Sequence, residues 1–583
     1  MLYVDSLHNG GHSMRETASG GGFNLHVISG SHVVLLAIDA TKDARRNLLG
    51  FAIKRNDTTE NQSYWLKGIK VFRETVPQPQ PGQRYSSLEH PIQSFLWGDY
   101  SAKPGRTYSF LIRPVYGTPK NLSYGDDIAI SIVTEGEKGE THSVYFNRGA
   151  IASQAFAEKF GNKGPTNTDD PADPATKWLS RGLLEAALAF IDDTRKGETL
   201  RVAAYEISYP PILEALAAAS KRKVDVIIVY EAGQETVKGK RVNTQATKIN
   251  AKAIKAAKLP KSMLRPRKRR NDIPHNKFIV RLSGNQSRVA VWTGSTNFTA
   301  SGFLGQTNVG HITRDVSIAN AYLGYWEQLA ADTEWNCLRQ WVEDNNPAPE
   351  SATPPNTIVP LFSPRKNDSL LEWYSQRIVD AKRTVMFTAA FGVNATLAKA
   401  FSANESFLRY ILLEKPLKAD VKALLKQDRD VQIANGAALG KTTLRAKVPG
   451  WMLDKWFLEE GHYRYEGFIF YIHTKLLLID PLSDDPLVIS GSANFSRNSL
   501  VNNDENMLVI RGDTRIADIY MTEFDRIFRH FYFRNVANEL ALKGSDGSKA
   551  IFLDPTDRWV EENFGSTKMK SKRRKLFFPK TKN

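Results

Sequence analysis

The sequence predicts a multidomain chain, with an N-terminal β-sandwich followed by two duplicated α/β lobes. Three observations carry this. Residues 23–147 show short alternating apolar runs separated by turn clusters, the pattern of half-buried strands. From about residue 178 onward, strand-like and helix-like stretches alternate, which builds a layered α/β sheet. One composite polar motif then occurs twice, once in each half of that region.

In chain order, residues 1–22 read as a flexible lead-in, rich in Gly, Ser and His over 9–22, with His8 and His12 solvent-exposed rather than metal-bound. The sandwich follows over 23–147, with runs such as Val33-Val34-Leu35-Leu36-Ala37-Ile38 and Gly50-Phe51-Ala52-Ile53. Within it, Lys103-Pro104-Gly105 leads into the alternation Tyr108-Ser109-Phe110-Leu111-Ile112. This resembles one strand of a fibronectin type III sandwich, in which a tyrosine anchors the corner. Trp65 and Trp97 are large enough to fill such a core. The sandwich is either an accessory module or a binding surface for a protein partner, and fold alone does not choose.

A polar linker spans 148–177, Pro-rich from Lys163 to Thr176. Lobe 1 (178–344) contains a helix over Leu183–Ile191, a buried strand over Leu200–Tyr205, a Pro-opened helix over Pro211–Ala219 and a strand over Val224–Tyr230. A second Pro-rich linker covers 345–358. Lobe 2 (359–545) repeats the plan with a helix over Leu370–Ala381 and a strand over Thr384–Ala390. A closing helix near 515–543 carries Tyr520, Phe524, Phe528 and Phe531 at core spacing. Residues 546–583 read as a basic tail, disordered when free. Such a tail serves as a nucleic-acid arm, as a membrane tether through Phe577 and Phe578, or for solvation only.

At 583 residues, three or four domains are expected. The 79 Lys+Arg exceed the 62 Asp+Glu, giving a net charge of +17. That favours polyanionic partners, either nucleic acid or an acidic phospholipid surface, without choosing between them. The single cysteine, Cys337, excludes an intrachain disulfide. The first residues lack the basic and apolar regions of a signal peptide. No stretch reaches the roughly 20 apolar residues of a membrane-spanning helix. A cytoplasmic protein is therefore expected.

The motif decides the chemistry. Its first copy is His275-Asn276-Lys277, followed by Gly294-Ser295-Thr296-Asn297. Its second is His473-Thr474-Lys475, followed by Gly491-Ser492-Ala493-Asn494. The His-to-Ser separations are 20 and 19 residues. On a strand, residues two apart share a face, so each His projects with its Lys. Two facing copies offer two imidazoles within a nest of donors. Lys, Ser and Asn groups stabilise charge on phosphoryl oxygens. One His attacks phosphorus and the other protonates the leaving oxygen. No cofactor or metal is needed if protein cations do this work.

The pattern resembles the phospholipase D superfamily, whose signature His-x-Lys-x4-Asp and Gly-Ser-x-Asn is used twice. The resemblance covers roughly residues 178–545 and makes both lobes phospholipase D-like. It implies a two-step displacement through a phosphohistidine. The second copy matches fully, including Asp480, whereas the first has Leu282 at that place. Glu505 lies 11 residues past Asn494, where the family often has a carboxylate that orients a catalytic His. After the first copy the same place is Asn308, with Gln306 nearby. A carboxylate favours the protonated imidazole and an amide does not. His275 is therefore expected to be the nucleophile, and His473 paired with Glu505 the general acid and then base. Tyrosyl-DNA phosphodiesterases look similar in this asymmetry.

The run Arg265, Arg267, Lys268, Arg269, Arg270 precedes His275. It is either a solvated surface or a basic rim that guides a phosphate chain into the cleft. The stretch around His275 and Trp292–Thr299 resembles the bacterial nuclease branch. A metal-independent nuclease, an endonuclease among the forms considered, is the leading expectation. A phospholipase D or phosphatidyl transferase is the alternative, with Trp451 and Trp456 in an interfacial loop or stacking on bases. A non-catalytic nucleic-acid-binding protein is the third reading.

Overall fold

The computed structural model describes residues 14–80, 83–149, 156, 159–161, 164–284, 288–403, 407–436, 472–542 and 551–578, with side chains to 532 in its longest helix. Alternating apolar positions in the N-terminal region fold as two packed antiparallel sheets. One orders the strands Arg15–Gly20, Phe23–Ser29, Val34–Ala40 and Leu96–Asp99. The other orders Asn121–Tyr124, Thr107–Thr118, Gly50–Asp57 and Gln62–Trp65, with Ile128–Val133 also paired to Thr107–Thr118. The Tyr108 hydroxyl accepts the Lys103 N–H at 2.8 Å, tying the turn to the core.

Four features differ from the sequence reading. First, the sheet starts at Arg15, inside the stretch expected to be a flexible lead-in. Second, His142–Phe146, at the sandwich's expected end, pairs with Val309–Thr313 and is the edge strand of lobe 1. Third, Trp65 stays half-buried beneath the Arg113 guanidinium. Trp97 packs on Phe110 at the edge of the core. Fourth, residues 551–578 are not a free tail. Val71 and residues 551–553 exchange backbone hydrogen bonds of 3.0 and 2.8 Å. Trp559 stacks on Phe95 within the sandwich, and its indole N–H reaches the Leu48 carbonyl at 2.9 Å. The basic helix Met569–Leu576 is pinned by ion pairs from Lys572 to Asp430 and from Arg574 to Asp39. Leu576 and Phe577 are buried. The segment straps the sandwich to lobe 2. Its aromatic side chains and its ion pairs together hold it to the body.

Each lobe is a seven-stranded mixed sheet with the same order. Lobe 1 runs His142–Phe146, Val309–Thr313, Ala290–Gly294, Lys277–Leu282, Thr199–Ala204, Asp225–Glu231, Leu264–Arg267. Lobe 2 runs Thr357–Ser363, Glu505–Arg511, Leu487–Gly491, Leu476–Ile479, Thr384–Ala389, Leu408–Leu413, Val431–Asn435. In both, the last three strands are parallel and the others antiparallel. The inner parallel strands, such as Asp225–Glu231, Thr384–Ala389 and Leu408–Leu413, are mostly apolar because both sheet faces are covered there.

The helices Val316–Ala330 and Thr514–Leu542 contribute Tyr322, Tyr325, Tyr520 and Phe524 to one core shared by the two sheets. The other face of each sheet has its own core. The lobes therefore stand as two copies facing each other, with the matching strand ends meeting at the seam. Among the described residues, no helix is long and apolar enough to cross a membrane.

Candidate active site

His275 and His473 each lie just before a central strand, and the seam brings their rings to 6.5 Å, centroid to centroid. Cross-lobe backbone contacts fix the approach. The Asp504 N–H donates to the Ile273 carbonyl at 3.0 Å. The His473 N–H donates to the Thr307 hydroxyl at 3.2 Å. Behind them, the Asn506 amide donates to the Asn276 side-chain carbonyl at 2.8 Å and accepts from the Thr293 hydroxyl at 2.6 Å.

Gly294 and Gly491 are set by close packing. A Cβ would sit 2.1 Å from the Val309 carbonyl oxygen in the first case and 2.3 Å from the Asn506 oxygen in the second. No side chain fits there.

The two histidines have unlike partners, and here the structure overturns the expected pairing. Glu505 does not orient His473. Its carboxylate lies across the seam at 2.9 and 3.1 Å from Nδ1 of His275. His473 Nδ1 instead meets the Asn308 side-chain oxygen at 2.9 Å. The cause is the facing arrangement. The strand after each Gly-Ser-x-Asn begins beside the other lobe's histidine, so each motif supplies the partner of the opposite copy.

Both lysines sit beside their histidines, and each Nζ donates to its own histidine's carbonyl at 2.6 Å. Two N–H groups remain on each ammonium for an anion. The serines are committed to the fold rather than offered to a phosphate. Ser295 donates to the Asn308 oxygen at 2.8 Å and accepts the Val309 N–H at 3.1 Å. Ser492 exchanges hydrogen bonds of 2.9 and 3.2 Å with the Asn506 backbone. They position the strands that carry the histidine partners. The Asn297 amide donates to Glu206 at 2.8 Å. The side-chain carbonyls of Asn297 and Asn494 are buried without a hydrogen-bond partner among the described residues.

Burial dominates the electrostatics. It pushes His275 down to about 4, although Glu505 acts against it. It drives His473 well below the ordinary histidine value, with Lys475, Lys277 and His275 adding to the effect. It takes Lys277 down to about 8 and Lys475 well below its usual value. Burial works to raise the Glu505 carboxyl, but His275, Lys277 and Asn503 outweigh it. Glu206 is raised by burial, with Lys277 opposing. The cleft thus holds its cations at a cost that an arriving anion relieves, because a phosphate favours their charged forms.

Other expected residues fall elsewhere. Asp480 lies at the far end of its strand, seven residues and roughly 20 Å from His473. Its carboxylate caps the backbone N–H groups of Lys382, Arg383 and Thr384 at 2.7, 2.7 and 2.9 Å. The basic run divides. Arg267 is fully buried in an ion pair with Asp504 at 2.9 Å and a second with Asp332 at 3.2 Å. Arg270 is neutralised by Glu231, its Nε at 2.6 Å. Arg265 bonds nearby backbone carbonyls, and only Lys268 and Arg269 are exposed. Trp451 and Trp456 lie outside the described residues.

Sequence reasoning missed Glu206, Tyr205 and Asn506. Tyr205 packs its ring 5.3 Å from that of His275. The available signal was a charged residue directly after a buried strand, at 206. Among the described residues, no three His, Cys, Asp or Glu side chains converge as metal ligands.

Residues 188–330 and 393–528 match the model of the cardiolipin synthase, phospholipase D-like domain. Each of the two lobes is therefore similar to a phospholipase D-like domain. No curated protein matches the chain by sequence. Among solved structures, phosphatidylserine synthase of Haemophilus influenzae is similar at 12% identity over 60% of this chain and 85% of that one, with a TM-score of 0.39. Nuc, a phospholipase D family member from Salmonella typhimurium, is similar at 24% identity over 33% and 95%, with a TM-score of 0.21. Yeast tyrosyl-DNA phosphodiesterase is similar at 14% identity over 56% and 86%, with a TM-score of 0.28. The chain spans less than half, 46%, of a similar polyphosphate kinase from Porphyromonas gingivalis.

Proposed function

We propose that the chain is a metal-independent phosphodiesterase that cleaves nucleic acid through a phosphohistidine on His275. The observation that carries this reading is the pair of imidazoles 6.5 Å apart with a carboxylate behind one and an amide behind the other. Glu505 accepts the Nδ1–H of His275, which leaves the Nε2 lone pair free to attack and balances the cationic phosphohistidine. Asn308 orients His473 without holding its proton, so a protonated His473 is a ready acid. His275 keeps the role of nucleophile, on a different ground from the one the sequence suggested.

In the first step a bond forms between His275 Nε2 and phosphorus, the bond to the leaving oxygen breaks, and His473 protonates that oxygen. In the second, water gives a proton to His473 and attacks phosphorus, and the P–N bond breaks. Lys277 and Lys475 carry the developing phosphoryl charge. Net charge of +17 favours a polyanionic substrate. The test is cleavage of labelled DNA and RNA in excess EDTA, with acid-quench trapping of the phosphoenzyme. Label retained in His473→Ala and absent in His275→Ala supports the assignment. Label on His473 reverses it, and cleavage lost with EDTA ends the metal-independent reading.

A second reading, phosphatidyl transfer, is favoured by the cardiolipin synthase family match and by Phe391, 55% exposed. Phe391 follows strand Thr384–Ala389 at the place Glu206 holds after Thr199–Ala204. The same residues would act on a phospholipid, and vesicles in the same assay separate the two.

A further inference from the structure

Between Thr236 and Asn271 the sequence has no Asp or Glu, no Trp, Tyr or Phe, and 13 Lys or Arg. This single segment thus matches most of the +17 net charge. It folds as a hairpin, Gln234–Val237 with Lys240–Asn243, then the helix Gln245–Ala256, then the edge strand Leu264–Arg267.

The helix buries Ala246, Thr247, Asn250 and Ile254. Lys248, Lys252 and Lys255, spaced by four and three residues, stand exposed on the opposite face. They cover roughly 10 Å at 1.5 Å per residue. Lys238, Lys240 and Arg241 extend the surface along the hairpin, and Lys258, Lys261, Lys268 and Arg269 continue it. None of these ten makes an ion pair among the described residues, whereas Arg267 and Arg270 are spent inside.

Two joints lock this surface to the catalytic cleft. Asn250 accepts the Ile207 N–H at 2.9 Å and donates to the Tyr205 carbonyl at 2.9 Å. It thereby grips both neighbours of Glu206. Buried Glu231 gathers the hairpin base, the helix start and the turn before His275. It accepts from Gly233 N–H at 3.2 Å, from the Thr244 hydroxyl at 3.0 Å and from Arg270. The one acid at the centre is thus consumed internally.

Resting on the phosphodiesterase reading above, we infer that this hairpin and helix form a rigid landing surface for the phosphate backbone of duplex nucleic acid flanking the bond to be cleaved. The chemistry selects the partner. Single-strand surfaces interleave aromatic platforms on which bases stack, and this one has none. A membrane-surface helix needs Trp, Phe or Leu on its apolar face, yet the only large apolar side chains exposed here are Val237 and Ile249. A comb of unpaired lysines without readout groups suits backbone contact that is indifferent to sequence.

The test compares wild type with Lys248→Gln/Lys252→Gln/Lys255→Gln, and with the matching triple Lys→Arg variant. Binding to a labelled duplex, its single strand and phosphatidylglycerol vesicles is measured over a salt series in a His275→Ala background. Hydrolysis of bis(p-nitrophenyl) phosphate is measured with His275 intact. The Gln triple should lower the slope of log K against log salt for duplex by about 2 to 3. It should leave hydrolysis of the small diester unchanged, and the Arg triple should keep the wild-type slope. An unchanged slope in the Gln triple overturns the inference. So does a loss confined to single strands or vesicles, or a wild type that binds no duplex. If the wild type hydrolyses no diester while the Gln triple still loses duplex, the landing surface stands and the phosphodiesterase reading falls.

Discussion

The two halves of the cleft are built on one plan and give their histidines different partners. Strand order, His-x-Lys placement and the lysine-to-carbonyl contact at 2.6 Å are the same in both. What differs is one side chain behind each ring, Glu505 for His275 and Asn308 for His473. Each of these comes from the opposite lobe. Duplication supplies two histidines at a fixed spacing, and one differing side chain behind each ring sets them apart. Neither lobe alone contains a complete histidine and its partner.

The widest separation between the two halves is chemical. His275→Ala removes the proposed nucleophile and should cost at least about 10⁴-fold in kcat/KM on any diester. His473→Ala should cost about 10²–10⁴-fold on a nucleotide leaving group, yet recover most of that on p-nitrophenolate, which leaves without a proton. Equal losses on both substrates would break the proposed division of labour.

Next come the partners themselves. Glu505→Gln should lower kcat/KM by about 10²-fold, because the cationic intermediate loses its counter-charge. Asn308→Asp should make the halves alike. The pH profile reads this directly. His275 must be unprotonated, which holds above about 4. His473 must be protonated, which fails as pH rises through its own depressed value. The profile of kcat/KM should therefore lie on the acid side of an ordinary histidine. A carboxylate at 308 raises His473 and should move the falling limb to higher pH. An unmoved limb would show that His473 is not the acid.

The histidines, the lysines and the doubling of the lobes were legible because they follow from local spacing on strands. The pairing of Glu505 was not, since it is 32 residues past His473 in sequence but faces His275 only through the packing of one sheet against another. The basic run before His275 misled in the same way. Arg267 and Arg270 look like Lys268 and Arg269 in sequence, and only the acids opposite them, Asp504 and Glu231, decide which are buried. The segment 551–578 was read by its charge, whereas Trp559 and Phe577 fix it to the body. His142–Phe146 continues an all-β pattern in sequence and changes sheets in space.

A smaller difference between the halves is Glu206, which has Phe391 as its counterpart. Its carboxylate faces the Asn297 amide and, lying near Lys277, would repel a phosphate bound there. Glu206→Gln keeps that hydrogen bond and removes the charge. KM should fall by a few-fold near neutral pH, about 1 kcal/mol of relieved repulsion. Because burial raises the Glu206 pKa, the wild type becomes neutral there already above the ordinary carboxyl range. The gap between the two proteins should therefore close as pH falls. A constant ratio across pH would assign Glu206 to holding Asn297 alone.

The last asymmetry should not touch catalysis at all. Asp480 caps three backbone N–H groups at the entry to strand Thr384–Ala389. Lobe 1 has Leu282 in that place, opposite Thr199. There the turn before Thr199–Ala204 closes on itself, with Arg195 N–H donating to the Glu198 carboxylate at 2.9 Å. One lobe anchors its strand entry from the neighbouring strand and the other from within the turn. Asp480→Ala leaves three donors without their charged acceptor and should destabilise lobe 2 by roughly 2–3 kcal/mol, measured as a lower unfolding midpoint. In the folded protein kcat/KM should stay at wild-type level, since the roughly 20 Å to His473 leaves no path to the reacting atoms. A loss of activity without a loss of stability would return Asp480 to the catalytic set and make the difference at Leu282 a functional one.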